Sequence, residues 1–512
     1  MFILKTNLKR ILCLLLVSVF ALTALVACNK DKGNDTESSD TKGSNDVVDD
    51  TTPEETKPND DDTLAEYDFD GAEYKILSRK STRYEFDHKN DKGLDAVNNA
   101  IFLRNESVKT RFNVTIRIEE TAGSWGSDFV DVYSKYMTGW SDVSLVAAHF
   151  PMQQIASTNG YCMDLTTLKT ADGAFDMTKE WWSKQFYENC NIEGKFYVAV
   201  GDIGYTLYEY LQVVFFNEQL AEQYAVDASG TAVDLYDLVR EDKWDWATFK
   251  TFVKNVNYVE ADPIYGLTTN DHSVRSFATA LEISYVDKDT SGSYVKYSFP
   301  TTASTATTTM VDDVVSFIRG GTANGVEYKS DNGTRASVGN KLFTENDVLF
   351  YTQTLGEVVS IAKDMDENSS YGVLPFPKAD EYQLEYHTAI RDSVTGISVP
   401  KTIYDKEMVG VVTEALCMYS YQNIRPAYLD TVLGGRYMQS EDLKDMMNLI
   451  RNSFTLDFSC AYSACLGTPY SMLSGLTAAT TDQSFSSYYE GKQSGFAKKL
   501  TDLYTFFNVS AT

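Results

Sequence analysis

The sequence predicts an α/β protein with two cores, carried behind an amino-terminal leader and a polar spacer. Three observations lead there. Strand and helix periodicities alternate through the first ordered stretch, the signature of a layered α/β sheet. Of the 512 residues, 485 remain once the first 27 are set aside, too many for one compact core and enough for two. Residues 29–66 hold almost no apolar side chain, so folding is expected to begin only after them.

The leader comes first. Lys5, Lys9 and Arg10 precede an apolar run over 11–22, and Leu25-Val26-Ala27-Cys28 follows. A charged start, an apolar middle and small residues before a cut describe a secretory signal, not a spanning helix. With its cysteine in that register, the stretch resembles the lipobox of bacterial lipoproteins. The resemblance implies cleavage before Cys28 and a diacylglyceryl group on its thiol. Acyl chains such as palmitate anchor cooperatively, each buried methylene adding roughly 0.8 kcal/mol. No later apolar run is long enough to span a bilayer. The expected location is therefore the outer face of the cell membrane, reached through a lipid anchor.

The formal net charge of the chain is −28, and the leader holds three basic residues, so the mature chain sits near −31. Such a chain lacks the basic surface that nucleic acid requires, and no nucleic-acid partner is expected. Beyond Cys13 and Cys28 there remain Cys162, Cys190, Cys417, Cys460 and Cys465, an odd number. They are expected as buried, reduced thiols, although Cys460 and Cys465 are close enough in sequence to bridge. Residues 29–66 are Asp, Glu, Ser, Thr, Asn, Gly and Lys, with Val47-Val48 and Leu64 the main exceptions. That composition cannot offset its ordering entropy, and a disordered, self-repelling spacer is predicted.

The ordered body begins near Tyr67. Tyr74-Lys75-Ile76-Leu77 reads as a strand; Leu94, Val97, Ile101, Val108 and Phe112 fall at helical spacing; Val114, Ile116 and Ile118 alternate as in a half-buried strand. A helix over 128–137 and a buried strand over 142–148 follow. Ligands of such sheets gather beyond the carboxyl ends of the strands, which places Ala148, His149 and Phe150 where one would be met. Farther on, 395–400 reads as a strand and 407–421 as a helix. Ser440 is a candidate cap for a helix through Leu443, Met446, Met447 and Ile450. Phe485, Tyr489, Phe496, Leu500 and Leu503 mark a terminal helix, and the Thr-rich run at 301–309 a helix start.

A series of short motifs resembles bacterial extracellular solute-binding proteins that serve ABC importers, the sugar-binding family 1 in particular. They are Asp142-Val143-Ser144-Leu145 with Gly160-Tyr161-Cys162-Met163-Asp164-Leu165, then Gly194-Lys195-Phe196-Tyr197, then Phe216-Asn217-Glu218-Gln219-Leu220. Trp244-Asp245-Trp246 and Tyr371-Gly372-Val373-Leu374-Pro375-Phe376-Pro377-Lys378 complete the set. Val200 stands where that family usually has proline. Their order and spacing carry the resemblance, which spans the chain from Tyr67 onward. It implies a two-lobe, periplasmic-binding-protein-like fold of type II, with the cleft between lobes. The expected boundaries are a leader at 1–27, lipidated Cys28 and spacer at 28–66, one lobe at 67–208 plus 375–423, and the other at 209–374 plus 424–512. Chain crossings are expected near Leu211, Leu374 and Arg425.

Sugars offer hydroxyls to planar polar groups and apolar faces to aromatic rings. The chain is 13% aromatic, with 33 Tyr and 6 Trp, and most of these rings are expected in the core. By position and by the resemblance, the candidate ligand-binding residues are Trp125, His149, Phe150, Trp181, Asp202, Tyr205, Tyr208, Glu209, Gln353, Thr354, Arg391 and Asp392. Trp125 lies between glycines, Trp181 is paired with Trp182, and 202–210 leads from one lobe to the other. Gln353-Thr354 matches a cleft-facing turn of the family.

No catalytic constellation is expected. His88, His149, His272 and His387 are scattered, no zinc spacing is present, and neither a G-x-S-x-G elbow nor a phosphate loop occurs. Paired carboxylates for glycoside hydrolysis always exist somewhere among 73 acidic residues. The reading is a monomeric substrate-binding lipoprotein with no cofactor and no metal, taking a small-molecule solute, a sugar or oligosaccharide, to ABC permease subunits. The alternatives are an exported carbohydrate-active hydrolase, or a sensor or structural lipoprotein that kept the binding fold.

Overall fold

Two sheets organise the chain. The structure, a computed structural model, describes residues 64–508 except 88–94, 122–125, 140–141, 169, 171, 262, 293–294, 330–334, 439 and 481. The expectations for the leader, Cys28, the spacer up to residue 63 and Trp125 lie outside the described residues.

The chain opens with β1 (Ala72–Arg79), α1 (Asp95–Phe112), β2 (Val114–Thr121), α2 (Gly126–Gly139), β3 (Leu145–His149) and α3 (Phe150–Thr158). This is the strand–helix alternation read from periodicity. A short helix α4 (Thr206–Glu209) leads into β4 (Gln212–Asn217), followed by α5 (Trp246–Asn255), β5 (Tyr265–Asn270), α6 (Asp271–Ala280) and α7 (Thr305–Arg319). Then come β6 (Val326–Lys329), β7 (Val348–Thr354), β8 (Tyr371–Leu374), β9 (Thr395–Ser398), α8 (Lys406–Tyr419), α9 (Glu441–Asn452) and α10 (Phe485–Phe507).

The first sheet runs β9-β3-β1-β2, with β1 parallel to both neighbours and β9 antiparallel. The second runs β8-β4-β7-β5-β6; β5 is parallel to β6 and β7, while β4 is antiparallel to β7 and β8. The stretch 194–200, which resembled a family strand, meets the first sheet only through an Ala199–Ile397 bridge. Positive φ at Glu193 and Gly194 turns the chain sharply just before it.

The motifs have local physical reasons. Asn217 Oδ1 accepts from Leu220 N at 2.9 Å, capping the helix that follows β4. Asp245 does the same for Thr248 N at 2.8 Å, so the Trp-Asp-Trp stretch is a helix start. Trp244 is fully buried and donates through Nε1 to Pro375 O at 2.9 Å. Trp246 N donates to Lys378 O at 2.7 Å, which docks the Pro-Phe-Pro-Lys passage onto the same helix. Ser304 and Ser440 cap α7 and α9 through Thr307 N and Leu443 N.

The aromatic surplus is largely core. Phe249 lies tilted against Phe350 at 5.3 Å between ring centres, Trp246 meets Phe277 at 5.2 Å, and Phe277 meets Phe376 at 4.9 Å. Edge and tilted contacts of this kind add to area burial. The five cysteines in the described residues are free, four of them buried. No helix among the described residues is long and apolar enough to cross a membrane.

Two chain segments run side by side between the sheets. Leu211 pairs antiparallel with Ile390, Gln212 N donates to Ala389 O at 2.9 Å, and Arg391 N to Tyr210 O at 2.9 Å. Residues 375–388 belong with the second sheet. There Lys378 Nζ reaches Asp242 at 3.1 Å, Gln383 Nε2 reaches Ala280 O at 3.0 Å, and Tyr386 OH reaches Val239 O at 3.2 Å. β8 ends inside the second sheet, and the chain packs there before 389–391 run beside 210–212.

Candidate functional site

Parallel strands end on the same edge of a sheet, so β1 and β3 deliver Arg79 and His149 to one place. Arg79 is wholly buried. Its Nε donates to Thr82 Oγ1 at 2.7 Å and its Nη2 to Ser393 O at 2.8 Å and Thr395 Oγ1 at 3.2 Å, while Nη1 meets His149 Nδ1. Burial works against its charge, and these acceptors hold it in place. Close by, Glu85 accepts from Thr206 N at 2.8 Å and from Thr395 Oγ1 at 2.5 Å, and burial raises its pKa. Arg104 fastens the same loop by donating to Glu85 O at 3.1 Å. This hub fixes the loop after β1 against the 203–206 passage and β9.

The loop so held presents Tyr84, whose hydroxyl donates to Glu209 Oε2 at 2.6 Å. Burial, followed by the Glu209 charge, pushes the Tyr84 pKa well up. The turn Leu355–Glu357 of the second lobe closes on this floor. A Cβ on Gly356 would stand 3.2 Å from Glu209 O and 3.3 Å from its Cβ, so only a glycine permits the approach without a shift. Gln353 and Thr354 end β7 beside the start of β4, both buried. Gln353 Oε1 accepts from Thr354 N at 3.0 Å, and its Nε2 donates to Tyr351 OH at 3.2 Å.

Arg391 lies at the crossing with its guanidinium over the Tyr210 ring, 5.8 Å from the centroid. Its neighbour Asp392 faces Arg275 of α6 at 3.4 Å. Arg275 also reaches Asp271 at 3.5 Å and Ser474 Oγ at 3.1 Å. Asn270 ends β5 and caps α6 by accepting from His272 N at 3.0 Å. The His272 pKa is held down to about 2, first by burial and then by Arg391 and Arg275. It stays a neutral imidazole, one nitrogen a donor and the other an acceptor, which suits a hydroxyl. Side chains from both lobes therefore converge at the carboxyl ends of parallel strands, where open α/β sheets bind ligands.

Of the residues singled out from sequence, His149, Glu209, Gln353, Thr354, Arg391 and Asp392 are gathered here. The others are not. Phe150 turns into the core and meets Phe186 at 4.8 Å, because α3 begins at that residue and rotates it away from the strand end. Trp181 is buried and donates to Glu414 Oε1 at 2.7 Å, with Trp182 on the other oxygen at 3.0 Å. Tyr205 is sealed between Tyr84 and Tyr428, at 5.5 and 5.3 Å between ring centres.

Asp202 and Tyr208 look into a different hollow, a cavity of about 640 Å³ lined also by Trp182, Arg425, Arg451 and Phe454. There Tyr208 OH donates to Asp202 at 2.5 Å, and burial lifts the Asp202 carboxyl to about 7. Arg79, Tyr84, His272 and Arg275 were missed. The available signal was their position just past a strand, as in Asn270-Asp271-His272 after β5. No group of three or more His, Cys, Asp or Glu among the described residues is placed to hold a metal ion.

No protein-family model and no curated protein matches the sequence. Solved structures do. UgpB from Mycobacterium tuberculosis, in complex with glycerophosphocholine, superposes with a TM-score of 0.54 at 12% identity, covering 85% of this chain and 99% of that one. The galacto-N-biose/lacto-N-biose I-binding protein of the ABC transporter from Bifidobacterium longum, in complex with lacto-N-biose, gives 0.53 at 13% identity over 87% and 99%. An ABC substrate-binding protein from Listeria monocytogenes, in complex with cycloalternan, gives 0.51 at 13% identity over 86% and 100%. At these identities the likeness shows the fold. The chain has a two-lobe, periplasmic-binding-protein-like α/β fold of type II with its cleft between the lobes, the fold of these neighbours.

Proposed function

We propose that this chain is the substrate-binding component of an ABC importer, capturing an extracellular carbohydrate between its lobes and passing it unchanged to a membrane permease. The observation that carries this is the convergence of polar side chains from both lobes on one crossing: His149 and Tyr84 from one side, Gln353, Thr354 and His272 from the other, with Glu209, Arg391 and Asp392 at the crossing itself. Few, placed polar groups set in apolar walls are what a solute site needs. Two of the structural neighbours hold a disaccharide or a cyclic oligosaccharide, which supports a sugar as the solute. Hinge closure of the lobes about the paired crossings Leu211–Ile390 would commit the ligand and bring the two half-sites together.

The working division is one lobe over 67–208 plus 391–423 and the other over 209–388 plus 424–512. The leader ends before Cys28, whose lipid tethers the body to the outer face of the membrane through the acidic spacer. The test of capture is a thermal-shift screen of the mature chain against mono- and oligosaccharides. A ligand at a hundredfold its Kd adds about 2.7 kcal/mol, a readable rise in Tm. A flat response to every sugar contradicts the reading. The test of tethering is Cys28→Ala in the full chain. Loss of lipid labelling and of membrane retention is expected, and unchanged retention contradicts the anchor.

A further inference from the structure

We propose that the solute carries an anionic group, a carboxylate or a phosphate ester, and that Arg391 is the residue that receives it. This rests on the solute-capture reading and narrows it.

Arg391 is half-buried at the meeting of the lobes. Its Nε is buried and has no hydrogen-bond acceptor, and no carboxylate of the described residues lies within ion-pair distance of its guanidinium. Its guanidinium lies over the face of Tyr210. Native chains seldom bury a donor without an acceptor, because the desolvation is then uncompensated. The other cations of the site differ. Arg79 is filled by Thr82, Ser393 and Thr395, and Arg275 by Asp271, Asp392 and Ser474.

The acids that face Arg391 are engaged elsewhere. Glu209 accepts from Tyr84, and Asp392 is turned to Arg275. Glu357 accepts from Asn340 at 3.1 Å, and burial pushes it toward its neutral form. His272 is uncharged. What remains is a guanidinium whose buried Nε has no acceptor, set over the Tyr210 ring at the meeting of the lobes. That geometry matches the paired oxygens of a carboxylate or phosphate better than a lone hydroxyl. The strong net negative charge of the chain is no obstacle, since solvent ions screen it beyond about 8 Å.

The experiment is titration calorimetry of the mature chain with matched pairs: oligogalacturonates against galactan oligomers of equal length, sialyllactose against lactose, a sugar phosphate and glycerophosphocholine against their parent alcohols. The expected result is that the charged member of a pair binds at least about tenfold more tightly. Arg391→Gln should erase the difference, and Arg391→Lys should keep part of it. The carboxylate and phosphate arms identify which anion is taken. Equal affinity for a neutral and a charged partner overturns the inference and leaves solute capture standing. Charge preference that survives Arg391→Gln overturns the assignment to Arg391. Binding of no member overturns both readings. Should the variants not fold, the paired titrations of the unaltered chain still decide whether an anion is preferred.

Discussion

Replacing Glu414 by glutamine removes a titration that the fold has displaced by several pH units while keeping the shape of the side chain. Glu414 is almost wholly buried on α8 and accepts from both indoles of the Trp181–Trp182 pair, at 2.7 and 3.0 Å. Burial lifts its pKa from 4.5 to about 8. An acid with a raised folded value keeps its proton longer in the folded chain than in the unfolded one. Its stabilising share is therefore complete below 4.5 and is lost as the pH rises through about 8. Each pH unit across that window removes about 1.4 kcal/mol, or about 4–5 kcal/mol over the whole of it. For a folded body of roughly 450 residues, about 1 kcal/mol moves Tm by about 1 °C.

Glutamine does not titrate, but its amide can accept from only one indole, and the other N–H loses its acceptor at a cost of about 1–3 kcal/mol. The unaltered chain should thus melt higher near about pH 5, and the gap should close by about 4 °C by about pH 8, ending level or reversed. Asp202, lifted to about 7, adds a slope of the same sign to both proteins and cancels in the difference. The assay is scanning fluorimetry of the two proteins across that pH range. Parallel curves would refute the reasoning, since they would mean that Glu414 titrates alike in the folded and unfolded chain.

Three further outcomes follow from the packing. A Cβ on Gly266 would lie 2.1 Å from Val253 O, where β5 crosses α5, so Gly266→Ala should cost about 1–3 kcal/mol and lower Tm accordingly; an unchanged Tm contradicts the close approach. Ser440→Ala removes the cap on Leu443 N and should cost about 1 kcal/mol, seen as roughly fivefold faster hydrogen exchange in the first turn of α9. Arg79→Met strips the hub of its cation beside buried Glu85 and should cost about 3–5 kcal/mol, with the double variant Arg79→Met/Glu85→Gln costing less than the sum of the singles.

How much of this was legible in the sequence depends on how local its cause is. The helix from Val97 to Phe112 and the alternation Val114, Ile116, Ile118 state their own periods, and the structure has α1 and β2 there. The Ser440 cap acts within three residues and was readable for that reason, while the caps at Asn217 and Asp245 lay inside motifs that announced the stretch but not the bond. Trp181 is a ligand candidate by position, yet its partner Glu414 lies 233 residues away, and no local pattern announces it. Between Asp202 and Tyr210 the sequence marks a polar, aromatic passage but not which face each residue takes. The single turn of α4 sends Tyr208 to one hollow and Glu209 to the other. Arg79 and Tyr84 carried no motif; only the parallel pairing of β1 with β3 brings them to His149.

The proposed function is capture without chemistry. Equilibrium dialysis of the mature chain against a sugar that raises its Tm, with mass spectrometry of the bound and free pools, addresses it most directly. The prediction is one intact sugar held per chain, released unaltered on dilution. Shortened or hydrolysed sugar in either pool, or no retention beyond the dialysate, would contradict it.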